Sequence, residues 1–542
     1  MGGACSRKRD QQTNDDIVLG GVSRRYSKSG SSKWLGTSFS RASVDNKQGN
    51  TIPPSLMELC IYKISQEIDE YGTFSMLPRD ISQQIFNELV YSQRLNEACL
   101  EAFLDCALQD INLGEYPGVD DTWMDVISSQ GSSLLSADLS SSDVTDSGLL
   151  HIKECKNVEA LNLNFCEHIS DVGLGCITGL SNLTSLSLKR NTSITAKGMS
   201  VLSELVNLSK LDLERCSGIH GGLVHLKGLK KLEALNMNCC NCITDADMKP
   251  LSDLRNLKEL QISSSKVTDN GVTFLKGLHK LALLNMERCP ITAACLDSLS
   301  DLVALLFLNV SRSNITDDGC DKFSKLKSLK VLNLGFNDMS DAVLAHLKGL
   351  INLESLNLDS CRIGDKGLVH LAGLVRLKCL ELSDTEVGNN GLRHLSGLVN
   401  LESLNLSFTL ITDGDAGLAT LTSLTGLTHL DLFCAKITDT GTNHLRNFKK
   451  LRSLEICGGG LTDAGVKNIK DLKSLMLLNL SQNSHLSDKS LEMISELTNL
   501  VSLNVSSSRV TSAGLKHLTS LKKLKSLSLE STKVEDAMGF CT

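Results

Sequence analysis

Cysteines, histidines and acids recur along this chain at fixed intervals, and each type could do chemistry. Cys166, Cys216, Cys240, Cys289 and Cys361 all stand at the ninth position of a recurring unit, where other copies place Asn191, Asn337 or Asn483, or a Ser or Thr. Small side chains with a donor suit a backbone turn, so this position reads as a structural ladder. Cys239, Cys240 and Cys242 suggest a metal, but Cys240 is already a ladder member and no second Cys/His cluster has zinc-site spacing. His225, His346, His370, His394, His444 and His517 each precede a Leu at one position of the unit, and Asp recurs in an Ile-Thr-Asp run. A residue used once per unit is a packing or capping choice, whereas catalysis needs a unique constellation. The chain contains no phosphate-binding glycine loop and no nucleophile elbow. The expectation is a non-enzyme with no catalytic residue, no metal and no cofactor.

A second kind of chemistry is covalent modification of the first residues, MGGACSRKRD. Gly2 and Ser6 fit the myristoylation pattern, Cys5 can take a palmitoyl chain, and Arg7, Lys8 and Arg9 follow. One acyl chain anchors only marginally, so a second chain or a basic patch is needed for a stable hold on an anionic membrane. Arg24, Arg25 and Ser27 form a basophilic kinase-type site, and a phosphate there would oppose that hold.

These residues must be positioned by the elements of the repeat. One copy reads LESLNLDSCRIGDKGLVHLAGLVR, Leu353 to Arg376, and the next begins at Leu377. Such a period means a solenoid whose units bury their apolar sides on one another. Eighteen strand segments start between Leu108 and Leu524, most of them 24 or 25 residues apart. Within LxxLxL the leucines alternate inward, as Leu356 and Leu358 do in the copy above. The strands are expected to stack as one parallel concave sheet. Thr or Asp of the Ile-Thr-Asp run can cap the helix that follows, such as the one from Lys366, on the convex side. The fold class is therefore α/β, a horseshoe solenoid with a small all-α head. Its expected divisions are a disordered basic Ser/Gly-rich tail (1–50), a helical head (51–107), the solenoid (108–534) and an atypical C-terminal tail (535–542). The unit from Leu401 is irregularly long, and only EDAMGFCT follows the last strand segment, as if a repeat had been lost and the terminus cut short by alternative splicing.

Composition narrows the function. Of 542 residues 41% are hydrophobic and only 4% aromatic, so leucine must build the core. No apolar stretch is long enough to span a membrane, and no secretory leader core is present. The first fifty residues carry nine Lys/Arg against four acids, so the rest holds −12 of the net −7. An acidic body argues against nucleic acid as a partner of the repeats. Nineteen cysteines without a leader point to reduced thiols.

The outward offsets of the strand and the turn after it form the expected partner face. Offset five is mostly Asn. Offset eight carries Phe165, Arg190, Arg215, Arg288, Arg312, Phe336 and Phe408, with Phe433 at offset seven. Exposed aromatics and arginines are the usual anchors of protein interfaces. Arg288, Arg312 and Phe336, from consecutive units, should line up one strand spacing apart, about 4.8 Å.

The units resemble the leucine-rich repeat family, in its cysteine-containing, ribonuclease-inhibitor-like classes. Before them LPRDISQQIFNEL, residues 77–89, resembles the opening of an F-box, through Leu77, Pro78, Ile81, Ile85 and Leu89. A Val–Cys–Arg–Trp-like continuation is missing. The whole chain looks like plant F-box/LRR-repeat proteins. That resemblance implies docking to a Skp-type adaptor and a cullin complex, with the repeats choosing a protein substrate for ubiquitin-dependent degradation. An N-terminal cap of the solenoid without adaptor docking is the other reading of the head, and a membrane-tethered scaffold or signalling protein the other reading of the chain. The expected location is cytoplasmic, peripheral at the plasma membrane through the acylated tail, with cytosol and nucleus as the alternative.

Overall fold

A computed structural model describes residues 54–413 and 417–534, in two compact units that divide after Leu108. Gly2 and Cys5, the kinase-type site and the tail beyond Val534 lie outside the described residues.

The N-terminal unit is helical. Leu56–Gln66 opens on a capping box, in which the Ser55 hydroxyl accepts from the Glu58 amide and the Glu58 carboxylate accepts from the Ser55 amide. Arg79–Tyr91 begins just after Pro78, whose fixed φ suits that place, with Asp80 in the first turn. The apolar spacing of RLNEACLEAFLDCAL, residues 94–108, would suit a further helix. The chain instead makes short turns at Glu97–Leu100 and Glu101–Phe103, then enters left-handed backbone at Asp105 and Ala107. The core of this unit is aromatic: Phe103 packs on Phe74 and Phe86, with ring centres 5.0 and 5.3 Å apart. Leu56 and Leu59 face outward; Ile61, Ser65 and Ile68 are the buried residues.

The second unit is one sheet of eighteen three-residue strands, each parallel to the next in chain order. The register never slips: Leu308, Leu332, Leu356, Leu380 and Leu404 pair rung to rung. The inward leucines enforce this whether a unit has 24, 25 or 26 residues, because a slip by one residue would turn every leucine outward. Leu356 and Leu358 are fully buried. The return side of each unit is a short helix, α at Asp341–Leu347 but 3₁₀ at Gly367–Leu371, where the pattern suggested an α-helix. A 3₁₀ turn rises about 2.0 Å per residue against about 1.5 Å, so it spans the unit with fewer residues.

The Ile-Thr-Asp run divides its labour. Thr or Ser caps its own helix: Thr462 Oγ1 accepts from the Ala464 amide. The Asp reaches forward to the next unit instead. Asp439 accepts from the amide and hydroxyl of Thr462 at 2.8 and 2.6 Å. Asp121, Asp146, Asp171, Asp245, Asp269, Asp317 and Asp488 do the same to the Thr or Ser one unit on. At most caps a glycine three residues on leaves the carboxylate room, although Cys295 and Val343 stand there after Thr292 and Ser340. A Cβ on Gly465 would lie 2.4 Å from the Asp439 carboxylate, and one on Gly173 2.2 Å from that of Asp146. Where Ser490 replaces the glycine, its hydroxyl turns to the neighbouring carboxylate, Asp463, at 2.6 Å. The chain of carboxylates lapses where Ala196, Gly221 and Ala293 stand in the Asp place.

Candidate protein-binding face

The open face of the sheet is built by offsets three, five and seven of each strand and by the turn at offset eight. Offset five is spent on the scaffold. The Asn285 carboxamide accepts from the Glu287 amide, and Asn309, Asn333, Asn357 and Asn405 likewise accept from the amide two residues on. Offset nine is spent too. Cys166, Cys216, Cys240, Cys289 and Cys361 donate their thiols to carbonyls of the preceding unit at 3.1–3.5 Å. Asn191 and Asn337 do so through their amides. Burial pushes the Cys216 thiol up to about 12 and that of Cys361 up to about 11, so neither is a poised nucleophile. In the Cys239–Cys242 run, Cys239 is exposed, Cys240 is buried in the ladder and Cys242 donates to the Cys216 carbonyl. Among the described residues no His, Cys, Asp and Glu gather in a metal-binding group, and no helix is long and apolar enough to cross a membrane.

Offset eight is the unusual position. Phe165, Arg190, Arg215, Arg288, Arg312, Phe336 and Phe408 all hold left-handed backbone, with φ between 55° and 61°. The cause is a forward hydrogen bond: Arg288, Arg312 and Phe336 donate their amides to the offset-seven carbonyls of Ser311, Gly335 and Asp359 in the next unit. Non-glycine residues seldom take this conformation, and bulky ones still less. The bulky side chains here are nevertheless exposed, Phe336 at 44% and Phe408 at 50%. Nothing in the scaffold needs their size, since Ser264, Ser360 and Ser507 make the same turn elsewhere.

The side chains interlock along the face. Arg312 lies over the Phe336 ring, 3.6 Å from its centre. Glu287 sits 3.8 Å from Arg288 and 3.6 Å from Arg312. Lys189 and Arg190 flank the Phe165 ring at 5.9 and 5.7 Å, and Glu214 pairs with Lys189 and Arg215 at 3.1 and 3.7 Å. Phe408 and Phe433 pack at a tilt, with ring centres 5.2 Å apart. Next to Phe336, burial and then the Glu381 charge push the Asp359 carboxyl up to about 6, although the Ser383 amide and Arg312 act against it.

In the head, Leu77 and Pro78 are exposed and Ile81 is half-buried. Ile85 and Leu89 are fully buried, so they support the head's interior and offer no adaptor surface. A helical period places residues on one face but does not say what covers it. Met76, next to Leu77 in the chain, is 90% exposed, and the F-box pattern did not single it out.

A leucine rich repeat family description matches residues 156–217, 304–363 and 449–510, and a second matches 228–252, 253–276 and 423–441. No curated protein matches the chain. Among solved structures, the TLR13 chain of a TLR13–ssRNA13 complex is 22% identical, with 79% of this chain and 67% of that one covered at a TM-score of 0.51. The LRR protein LIC12759 of Leptospira interrogans is 21% identical over 71% and 87%, with a TM-score of 0.49. At such identities the likeness concerns the fold alone. The matched segments fall on the stacked leucine strands described above, and the fold is a leucine-rich repeat solenoid.

Proposed function

We propose that this chain is a non-enzymatic recognition protein that holds a protein partner on the open sheet face. One observation carries the reading: large Arg and Phe side chains occupy strained, exposed rungs where serine would serve the fold. Strain at surface positions is retained where the surrounding structure and a function hold it there. The test is capture from cell extract by the full chain and by a variant with Ser at Phe165, Arg312, Phe336 and Phe408. Proteins retained by the original and lost by an equally stable variant support the reading. An identical set of captured proteins overturns it.

Within that role the finer reading is substrate recognition for a cullin-type ubiquitin ligase, cytoplasmic and tethered at the plasma membrane through Gly2 and Cys5. Its support is the F-box-like opening of the head, with Met76, Leu77 and Pro78 exposed ahead of Arg79–Tyr91. Co-purification of a Skp-type adaptor, abolished by Met76→Ser with Leu77→Ala, is the expected result. No adaptor binding where an authentic F-box binds removes the ligase reading and leaves recognition by the repeats in place.

A further inference from the structure

Offset three of the strands is polar or small along most of the sheet, with Ser136, Ser185, Ser355, Ser403, Ser453, Ser502 and Ser526 among its members. On three consecutive strands it is instead Leu283, Phe307 and Val331, paired directly rung to rung. Among the described residues no other three successive strands carry large apolar side chains there. The same three units supply Arg288, Arg312 and Phe336 at offset eight. An apolar row and a cationic row therefore face outward from one block of sheet, with Asn285, Asn309 and Asn333 between them committed to their own turns.

The cationic row is ready for a ligand. Arg312 is stacked on Phe336, which fixes its plane. Both guanidiniums lie near Glu287, yet at 3.6 and 3.8 Å they are beyond hydrogen-bond length, and both arginines are exposed. Exposed ion pairs contribute little, so turning these guanidiniums to another carboxylate meets little resistance. Glu287 is the carboxylate in ion-pair range of both arginines, with Asp359 acting on Arg312 from further off. Bidentate pairing is the geometry a guanidinium offers a carboxylate.

Resting on the proposed recognition role, we infer that units 281–337 are the docking site, and that the partner presents a segment with an apolar group at one end and carboxylates at the other. At about 3.3 Å per residue, an extended segment along the strands would separate the two by roughly five positions. Arg288 and Arg312 reject basic segments by like charge.

The test uses the full chain and a random peptide library displayed on phage. Recovered peptides are synthesised and titrated onto the original protein, R288E/R312E, F307S and F408S. The expected peptides carry Asp or Glu about five positions from Leu, Ile or Phe. They should lose about tenfold or more in affinity on R288E/R312E and on F307S, and far less on F408S, which lies outside units 281–337. Exchanging their acids for Lys should restore binding to R288E/R312E, which a folding defect could not do. Peptides that bind R288E/R312E as well as the original overturn the inference. If those peptides depend on Phe408 instead, recognition by the sheet face survives; if no sheet-face variant affects them, or no peptide is recovered, both readings fall.

Discussion

At the scale of the residue, the left-handed rungs set function against stability. Arg288→Gly removes a side chain from backbone that disfavours it by about 1–2 kcal/mol, against about 0.5–1 kcal/mol of added chain entropy. The expected outcome is a protein up to about 1 kcal/mol more stable in urea unfolding, yet weaker in partner capture. A fall in stability would show that the exposed Arg288–Glu287 pair holds the turn. Asp359 gives a second residue-scale prediction. Its folded carboxyl titrates near 6, above the ordinary unfolded value, so its stabilising balance is complete at low pH and is lost as pH rises through 6. Asp359→Asn keeps an oxygen for the Ser383 amide and should stabilise the protein at pH 8 by on the order of 2 kcal/mol, with no gain near pH 3. A gain equal at both pH values would assign the effect to something other than the charge. Neither rung strain nor this shift was legible in the sequence. Arg and Phe are not residues that announce a left-handed turn, and the neighbours of Asp359 come from other units.

At the scale of the element, period alone was enough for the strand. Leu356 and Leu358 had to point inward once the unit length was known, and both do. The Asp of Ile-Thr-Asp was legible only as a helix-start residue. Its partner lies a whole unit away, and a local capping reading competes with the true one. Asp439→Ala leaves the Thr462 amide and hydroxyl without their acceptor and should destabilise by about 1–3 kcal/mol; Gly465→Ala should do comparable harm by crowding the same carboxylate. Unchanged melting of both variants would mean that the link contributes nothing. The link also predicts acid sensitivity. Burial would raise the Asp463 carboxyl, but the hydroxyls of Ser487 and Ser490 and the Ser487 amide outweigh it and hold the group below its ordinary value. A depressed carboxyl stabilises above its unfolded value and loses that contribution as pH falls through its lowered folded value, so Asp463→Asn should matter at pH 7 and progressively less in acid below the ordinary carboxylate range. In the head, the spacing of Ile81, Ile85 and Leu89 revealed a helix face correctly. Which side of it was covered depended on Phe74, Phe86 and Phe103, aromatics whose meeting no local pattern announces.

At the scale of the whole repeat unit, the carboxylate chain divides the array. Its links run unbroken from Asp317 to Thr511, through Gly364 and Gly388 and with the Asn389 carboxamide in place of one carboxylate, and lapse at Ala196, Gly221 and Ala293. At the first lapse Asp247 bonds back to His220 and Gly221 instead. Stacked repeats open where a neighbouring interface is weakest. Native-state hydrogen exchange should therefore show amides of 317–511 opening together, with earlier exchange between 196 and 244 and around 293–316. A smooth gradient from one end to the other would contradict this. The left-handed rungs carry a further consequence for how such a molecule changes over time. The amide that twists each rung is satisfied by the next strand whatever side chain the rung bears. Exchanging Arg312 with Ser360 would leave nearly the same sum of local strain and shift a charged contact by two strand spacings, about 10 Å. The face is thus a row of interchangeable letters on a fixed line, and new specificity can be written one letter at a time without redrafting the scaffold beneath it.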